Sequence, residues 1–218
     1  MRIRKKAWAK PELDECKFFV QKPETLKGKW KEKFTRNLPM YLELGCGKGF
    51  FASRFGVNHK NINLIAIDIK SEILALAKRE IESVYSESDE IIDNVLLTAQ
   101  NIEQITNILD KKDEIERIYI NFCNPWPRQK HKKRRLTHSR QLEKYKTFLK
   151  EKAQIYFKTD DDLLFCESKK YFEESGFKII WETEDLHTKT WKENIETEHE
   201  KMYIDNGVKI KAMITELN

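Results

Sequence analysis

Residues 40–50 read MYLELGCGKGF, and this stretch decides the fold that we expect for the 218-residue chain. The apolar run MYLEL indicates a buried strand, and Gly45 closes it with a tight turn. Further glycines at 47 and 49 let the backbone bend sharply and approach a ligand closely. A dinucleotide fingerprint would need its third glycine where Phe50 stands, and the sequence has no GxxxxGK[ST] phosphate loop. The turn therefore disfavours a dinucleotide, whose pyrophosphate would bind at the start of the following helix, and is compatible with a ligand that has no pyrophosphate.

Strands and helices are predicted to alternate along the rest of the chain. Short apolar or β-branched runs indicate strands at 61–68, 93–98, 115–122, 154–158, 177–183 and 208–215. Periodicity predicts helices at about 49–56, 71–84, 102–110, 138–151, 161–174 and 197–205, with Ser71 capping the second. This order predicts an α/β fold, a Rossmann-like and mostly parallel seven-stranded sheet flanked by helices, with an antiparallel last strand.

Positive charge is concentrated in two blocks, although the formal net charge is only +5. Residues 1–36 carry twelve Lys and Arg against five Asp and Glu, and we expect a basic N-terminal arm at 1–37 before the α/β domain at 38–218. Residues 128–152 carry eleven cations against two acids, and residues 128–135 (RQKHKKRR) hold six cations in eight positions. Such blocks indicate a polyanionic partner, nucleic acid before membrane.

The predicted topology places a crevice at one edge of the sheet. In open α/β sheets, ligands bind beyond the carboxyl ends of the strands. The loops at 45–49, 68–70, 99–101 and 123–128 should therefore meet there. Asp68 ends the second strand, and a carboxylate at that place can accept hydrogen bonds from ribose hydroxyls. The sequence thus predicts a site for an adenosine-like ligand.

Several other classes of protein are disfavoured. The four cysteines form no CxxC pair, and the histidines show no metal or triad spacing with a suitable acid, so we expect no metal. No apolar run approaches ~18 residues and no apolar segment follows the basic start, so we expect neither a membrane span nor a secretory leader. We expect a cytoplasmic protein with reduced thiols. We also expect a monomer, because every helix face that we identify is needed to cover the sheet.

Two sets of motifs resemble known families. The pattern ExGxGxG at 43–49, with the acid at 68, resembles the class I S-adenosylmethionine-dependent methyltransferases. The motifs NPWP at 124–127, KHKKRR at 130–135, FKTD at 157–160 and TEHE at 197–200 resemble, almost end to end, the bacterial tRNA (guanine-N7)-methyltransferase family. This resemblance implies transfer of methyl from S-adenosylmethionine to N7 of a guanine in the tRNA variable loop, at position 46, giving 7-methylguanosine.

The resemblance also implies roles for individual residues. Cofactor contacts fall on Glu43, Gly45, Gly47, Asp68, Asn101 and Asn124. Substrate contacts fall on Arg128, Asp160, Thr197, Glu198, His199 and Glu200. The RNA surface comprises Lys130, His131, Lys132, Lys133, Arg134 and Arg135. Because N7 must stay free, we expect the carboxylates at 160, 198 and 200 to accept hydrogen bonds from the Watson–Crick edge of guanine. Thr197 and Glu200 also fit a capping box at a helix start, and both interpretations can hold together.

Position 124 departs from the family pattern. The turn usually begins with Asp, which has been assigned a catalytic role, and an Asn cannot act as a general base. Guanine N7, however, carries a free lone pair and no proton, and the sulfonium methyl is already activated by the cofactor. Alignment of N7, methyl and sulfur can supply roughly 7–11 kcal/mol. We therefore expect Asn124 to act, if at all, by orienting the cofactor or the base through hydrogen bonds.

Two alternatives stay open at the level of sequence. NPWP is close to the NPP[YFW] turn of amino-methyltransferases that act on adenine or glutamine, although the aromatic residue stands one place early. A protein of another class, a tRNA-binding protein that has lost catalysis, is also compatible with Asn124.

Overall fold

The computed structural model describes residues 6–189, 191 and 193–218. Its strands are β1 Phe19–Val20, β2 Met40–Leu44, β3 Asn63–Asp68, β4 Val95–Ala99, β5 Ile115–Asn121, β6 Leu149–Thr159, β7 Phe177–Thr183 and β8 Lys211–Leu217. Its α-helices are α1 Ala9–Asp14, α2 Phe50–Asn58, α3 Ser71–Glu87, α4 Ser139–Lys146, α5 Asp162–Glu174 and α6 Glu198–Asp205. Short 3-10 helices lie at Pro23–Leu26, Trp30–Lys33, Ile102–Asn107, Lys111–Asp113, Gln129–Arg134 and Leu186–Thr188.

The strands form a single sheet in the order β1-β4-β3-β2-β5-β6-β8-β7. Among them, β8 runs antiparallel to both of its neighbours, and the remaining pairs are parallel. The predicted α/β fold with an antiparallel last strand is therefore confirmed. The sheet has eight strands and not seven, because Phe19 and Val20 add a parallel edge strand beside β4.

Some element boundaries differ from the prediction. The helix expected over 138–151 ends at Lys146, because Leu149 already pairs with Ile115 of β5. The last strand begins at Lys211 and not at Val208, whose N–H closes a turn onto the carbonyl of Tyr203. These shifts move no predicted element to another place in the fold.

The described part of the N-terminal arm packs into the same core as the sheet. Ala9, Leu13, Phe18 and Trp30 are buried in one hydrophobic cluster with the central strands. The indole N–H of Trp30 also donates to the carbonyl of Ile108, at 2.7 Å. The proposed division at residue 37 is thus a division by charge, and whether the two parts behave as separate units stays a prediction.

The central strands are buried along most of their length. β2, β3 and β4 read as nearly continuous apolar runs, as expected for parallel strands covered on both faces. Polar side chains stand near their carboxyl ends, where Glu43, Asp68 and, on β5, Asn121 come together at one edge. The fold therefore concentrates its chemistry at this edge of the sheet.

Candidate active site

Hydrogen bonds connect the loops at the carboxyl edge of the sheet. The N–H of Gly47 donates to Asp68 at 3.2 Å, and that of Gln100 donates to the Asp68 carbonyl at 3.0 Å. The amide of Asn121 donates to Glu43 at 3.3 Å. The predicted meeting of the loops after β2, β3 and β4 is therefore present, and the end of β5 lies against the end of β2.

The glycine turn after β2 combines a left-handed backbone with an open face. Gly45 has φ of +82° and Gly47 has φ of +53°, and a Cβ built on either would meet no atom within 4 Å. Gly49 has φ of +79° and is also restricted by packing, because a Cβ at this position would lie 2.8 Å from the Cβ of Ala77 in α3. The first two glycines thus leave space for a ligand, and the third allows α2 to pack on α3.

A buried carboxyl group lies behind this turn. The side chain of Glu43 is only 2% exposed, and burial raises its pKa from the ordinary 4.5 to about 8. One of its oxygens accepts the Asn121 amide, while Oε2 meets no donor among the described residues. The side-chain oxygen of Asn121 is likewise buried and without a donor. Two buried oxygens at this place therefore have no hydrogen-bond donor among the described residues, which is unusual for buried polar atoms.

Asp68 and Asn101, the next two predicted cofactor residues, both brace the backbone. The second oxygen of Asp68 accepts the N–H of Lys70 at 3.1 Å. That bond takes the place of the predicted Ser71 cap, because Ser71 is already the first helical residue and Lys70 is the N-cap without a side-chain cap. Asn101 accepts the N–H of Glu103 at 3.0 Å and caps the 3-10 helix that follows. Each side chain still has hydrogen-bonding capacity for a ligand.

The turn after β5 is held in an unusual backbone conformation. Phe122 has φ of +51° and Trp126 has φ of +43°, a region that costs non-glycine residues about 1–3 kcal/mol each. Asn124 is exposed, and its carbonyl oxygen accepts the N–H of Trp126 at 3.0 Å. The oxygen of Asn124 therefore holds the turn, which leaves its NH₂ group for other contacts.

The basic segment divides into inward and outward side chains. Arg135 departs from the expected surface position: its side chain is fully buried, pairs with Glu167 of α5, and donates from Nε to the Pro125 carbonyl at 2.6 Å. Lys132 pairs with the same Glu167. A cation that supports the NPWP turn from inside cannot be distinguished in sequence from its exposed neighbours.

The remaining cations of that segment point outward. Arg128, Lys130 and Lys133 are exposed and make no ion pair within the described part of the chain. Arg134 lies over the ring of Trp126, at 5.2 Å, and approaches Glu103 at 3.9 Å. His131, which is half-buried, contacts the same Trp126 ring, with 5.6 Å between the two ring centroids.

The TEHE motif forms the start of α6, as the capping interpretation predicted. Thr197 is the N-cap, and its side chain accepts the N–H of Glu200 at 3.1 Å. Glu198 is exposed and pairs with Lys48 of the glycine turn at 2.8 Å. The exposed ring of His199 stacks on Phe122, at 5.8 Å between ring centroids. Residues 197–199 therefore lie between the turns that follow β2 and β5.

Glu200 points away from solvent, unlike Glu198. Its side chain is 1% exposed and pairs with Lys158 of β6 at 2.8 Å. It does not reach back to the N-terminal side of α6 to complete a capping box; its other oxygen accepts the amide of Asn194 at 2.7 Å. Asp160, at the end of β6, is half-buried and, after burial itself, is the main influence that raises the pKa of Tyr203.

Sequence reasoning missed two residues of this site, Asn121 and Lys158. Asn121 ends a strand beside Glu43, and the available signal was a polar residue directly after the buried run Ile118–Ile120. Lys158 lies within the FKTD motif but was given no role, because a lysine in sequence reads as exposed. Its partner Glu200 is 42 positions away, so only the fold brings the two together.

The strand order, the glycine turn and the acids at the strand ends define a class I methyltransferase. A family described as "Putative methyltransferase" matches residues 37–213. The chain is 59% identical to the tRNA (guanine-N(7)-)-methyltransferase of Clostridium beijerinckii and 57% identical to that of Clostridium botulinum strain Alaska E43, covering 98% of each chain in both cases. The chain belongs to the tRNA (guanine-N7)-methyltransferase family.

Solved structures show the same fold at low sequence identity. The 16S rRNA methyltransferase KamB is 10% identical, with a TM-score of 0.64 over 87% of this chain and 93% of its own. An antibiotic-related methyltransferase is 17% identical, with a TM-score of 0.55 over 82% and 86%. Among the described residues, no helix is long and apolar enough to cross a membrane, and no cluster of three or more His, Cys, Asp or Glu could hold a metal ion.

Proposed function

We propose that this protein transfers the methyl group of S-adenosylmethionine to N7 of the guanine at position 46 of the tRNA variable loop, giving 7-methylguanosine. The observation that carries the proposal is the end-to-end identity, at 57–59%, with relatives named as tRNA (guanine-N(7)-)-methyltransferases, and position 46 follows from the resemblance of the motifs to that family. The site agrees with it, because an open glycine turn, a buried acid and an exposed cationic segment lie at one edge of the sheet.

The residues at the carboxyl edge fit the proposed cofactor. Its α-ammonium group offers the donors that Glu43 Oε2 and the Asn121 oxygen lack among the described residues. The open side of Gly45 and Gly47 leaves room for close approach, and Asp68 can accept from ribose hydroxyls. When bound, the cofactor supplies an activated sulfonium methyl group.

The remaining task of the protein is to present N7 in line with that methyl group, since no proton has to be removed. The NH₂ group of Asn124 meets no acceptor among the described residues and can orient the base or the cofactor, while its oxygen keeps the turn in place. Glu198 and Asp160 are the carboxylates left to accept from the Watson–Crick edge, because Glu200 is buried with Lys158. The stacked rings of His199 and Phe122 offer a flat face for an unpaired base.

The outward cations are proposed to hold the RNA backbone beside the target base. Arg128, Lys130, Lys133 and Arg134 follow the NPWP turn and are exposed. Cations at this place can contact phosphates on both sides of a splayed nucleotide, which fixes the position of the RNA without reading its sequence. The basic N-terminal arm is a second candidate contact for RNA, and we propose that the protein acts as a cytoplasmic monomer without a metal.

The two alternatives receive less support. In an amino-methyltransferase of the NPPY type, the Asn oxygen holds the substrate amine, whereas here that oxygen accepts the N–H of Trp126. A protein without catalysis would still bind tRNA, but the relatives at 57–59% identity carry the name of an enzyme.

Methyl transfer to bulk tRNA from cells that lack this modification tests the proposal. We expect one methyl group per acceptor tRNA and, after nuclease digestion and mass spectrometry, 7-methylguanosine from position 46. Methylation of an amino group would favour the first alternative. Calorimetric binding of tRNA without binding of S-adenosylmethionine would favour the second.

A further inference from the structure

We propose that Lys158 is a positioning residue, which acts through a buried ion pair with Glu200 to hold the start of α6 against the ends of β5 and β6. The proposal rests on the proposed function, in which residues at the start of α6 contact the substrate guanine. It assigns Glu200 to the support of the site and not to reading of the base.

The contacts of Lys158 use its full hydrogen-bonding capacity. Its ammonium group donates to Glu200 at 2.8 Å, to the side-chain oxygen of Asn194 at 2.9 Å and to the carbonyl of Ile195 at 3.0 Å. Glu200 in turn accepts the Asn194 amide at 2.7 Å. The three donors of Lys158 and both oxygens of Glu200 are therefore satisfied by protein.

The pair lies inside the protein, and its polar groups have no access to solvent. The side chains of Lys158 and Glu200 are 3% and 1% exposed. Burial lowers the pKa of Lys158, and the neighbouring Glu200 opposes that effect. A buried charge that loses its partner is strongly unfavourable, so each of the two groups keeps the other in place. A carboxylate held in this way is not free to accept hydrogen bonds from a guanine.

The position of the pair in the sheet joins both halves of the site. Lys158 of β6 stands beside Asn121 of β5 in the parallel register, and Asn121 contacts Glu43 of β2. The other member of the pair, Glu200, lies in the first turn of α6, which also carries Glu198 and His199. Within the described part of the chain, this turn also contacts the glycine turn through the ion pair of Lys48 and Glu198, which is exposed on both sides and therefore weak.

The decisive experiment is a double-mutant cycle on methyl transfer to tRNA, with cofactor affinity measured separately by calorimetry. We expect Lys158→Met to raise the KM for tRNA at least tenfold and to change the Kd for S-adenosylmethionine less than threefold. Glu200→Gln should cause a smaller loss of the same kind, because an amide preserves part of the hydrogen bonding. Lys158→Arg should restore part of the tRNA affinity, and Lys178→Met, which removes an exposed lysine from β7, should have no effect.

The double-mutant cycle distinguishes a pair that positions α6 from two residues that each contact the RNA independently. If the two residues act through each other, Lys158→Met with Glu200→Gln loses no more kcat/KM than Lys158→Met alone. Lys158→Met combined with Glu198→Gln should also lose less than the product of the single losses, because Glu198 reaches the base only when the pair holds the start of α6 in place. Lys158→Met combined with Lys130→Ala should instead show multiplied losses, because the exposed Lys130 is proposed to contact a phosphate and does not act through α6.

Four results of these experiments bear on the two proposals. Multiplied losses for Lys158 and Glu200 would overturn the positioning role, and so would equal losses of tRNA and cofactor affinity, which indicate a role in the fold alone. If Lys158→Met does not fold, the same two quantities are measured for Glu200→Gln. A raised KM for tRNA with a nearly unchanged Kd for S-adenosylmethionine then supports the proposal, and equal losses of both overturn it. Failure of the wild-type protein to methylate tRNA would instead overturn the proposed function, so the two failures are distinguishable.

Discussion

At position 124, the chemistry of a single side chain bears on how the reaction is catalysed. Asn124 closes its turn through a carbonyl oxygen that accepts the N–H of Trp126, and an aspartate oxygen can make the same bond. Because guanine N7 needs no base, we predict that Asn124→Asp retains kcat/KM within about tenfold of wild type, a change of about 1.4 kcal/mol.

Steady-state kinetics on the same tRNA measure this effect, with Asn124→Ala as the variant that removes the turn-forming oxygen. A gain of several orders of magnitude in Asn124→Asp would contradict the argument, because it would show that a catalytic carboxylate matters.

Glu43 gives a prediction about pH. Its pKa is raised by burial from 4.5 to about 8 in the folded protein, so the folded state binds more protons than the unfolded state between these values. Stability contributed by this group is therefore lost as pH rises from about 5 to 8. Glu43→Gln cannot ionise, and we expect its thermal midpoint to fall less than that of wild type over this interval.

Thermal unfolding at several pH values without cofactor measures the difference between the two proteins. If the thermal midpoints of wild type and Glu43→Gln change with pH in parallel, the Glu43 carboxyl of the folded protein does not titrate between pH 5 and 8, and the prediction is wrong. Calorimetry above pH 8, where the Glu43 carboxyl is ionised, should show weaker binding of S-adenosylmethionine to Glu43→Gln than to wild type, because an amide offers no charge to an ammonium group.

The segment from Arg128 to Arg135 is a single element with two functions. Its outward cations are predicted to contact phosphates, and each phosphate that is neutralised releases counterions. Replacing Lys130 and Lys133 by Ala should therefore weaken tRNA binding and flatten the slope of log affinity against log salt by roughly 1–2 units.

Binding measured between low and physiological salt tests this prediction, and Lys178→Ala with Lys170→Ala serves as a matched pair of exposed lysines elsewhere. An unchanged salt slope for the variant that lacks Lys130 and Lys133 would show that the RNA binds another surface, of which the N-terminal arm is the next candidate.

Arg135 belongs to the same element but to the interior of the protein. We predict that Arg135→Ala destabilises the protein by about 3 kcal/mol, because Glu167 loses a charged partner and the Pro125 carbonyl loses a donor. Denaturant unfolding measures this change, and Lys133→Ala, which is exposed, should stay within about 0.5 kcal/mol of wild type. Equal stability of the two variants would contradict the supporting role.

At the scale of elements, the sequence predicts the strands better than it predicts the buried side chains that hold the site in place. Short apolar or β-branched runs located β2, β3, β5 and β7 closely. Among these, β2 and β3 are buried parallel strands, which leave a distinct pattern in the sequence. The edge strand β1 has only two residues, which is too short for any period to show. Arg135 and Lys158 could not be assigned from sequence, because each depends on a distant acid that only the tertiary fold brings near.

At the scale of the whole molecule, sequence and structure agree on a sheet with its chemistry at one edge. The positive N-terminal segment adds a strand and a buried tryptophan to that sheet, so the described part of it belongs to the core. The glycine turn, the NPWP turn and the start of α6 come from distant parts of the sequence and meet at the same edge. The central claim is that these parts present guanine N7 to a methyl group.

The most direct test of that claim uses two synthetic tRNAs that differ in one atom. One carries guanosine at position 46, and the other carries 7-deazaguanosine, in which a C–H group replaces N7 and the Watson–Crick edge is unchanged. We predict complete methylation of the first tRNA, and for the second no transfer but comparable binding. Methyl transfer to the 7-deaza tRNA, or a product of the first methylated on any other atom, would contradict the account.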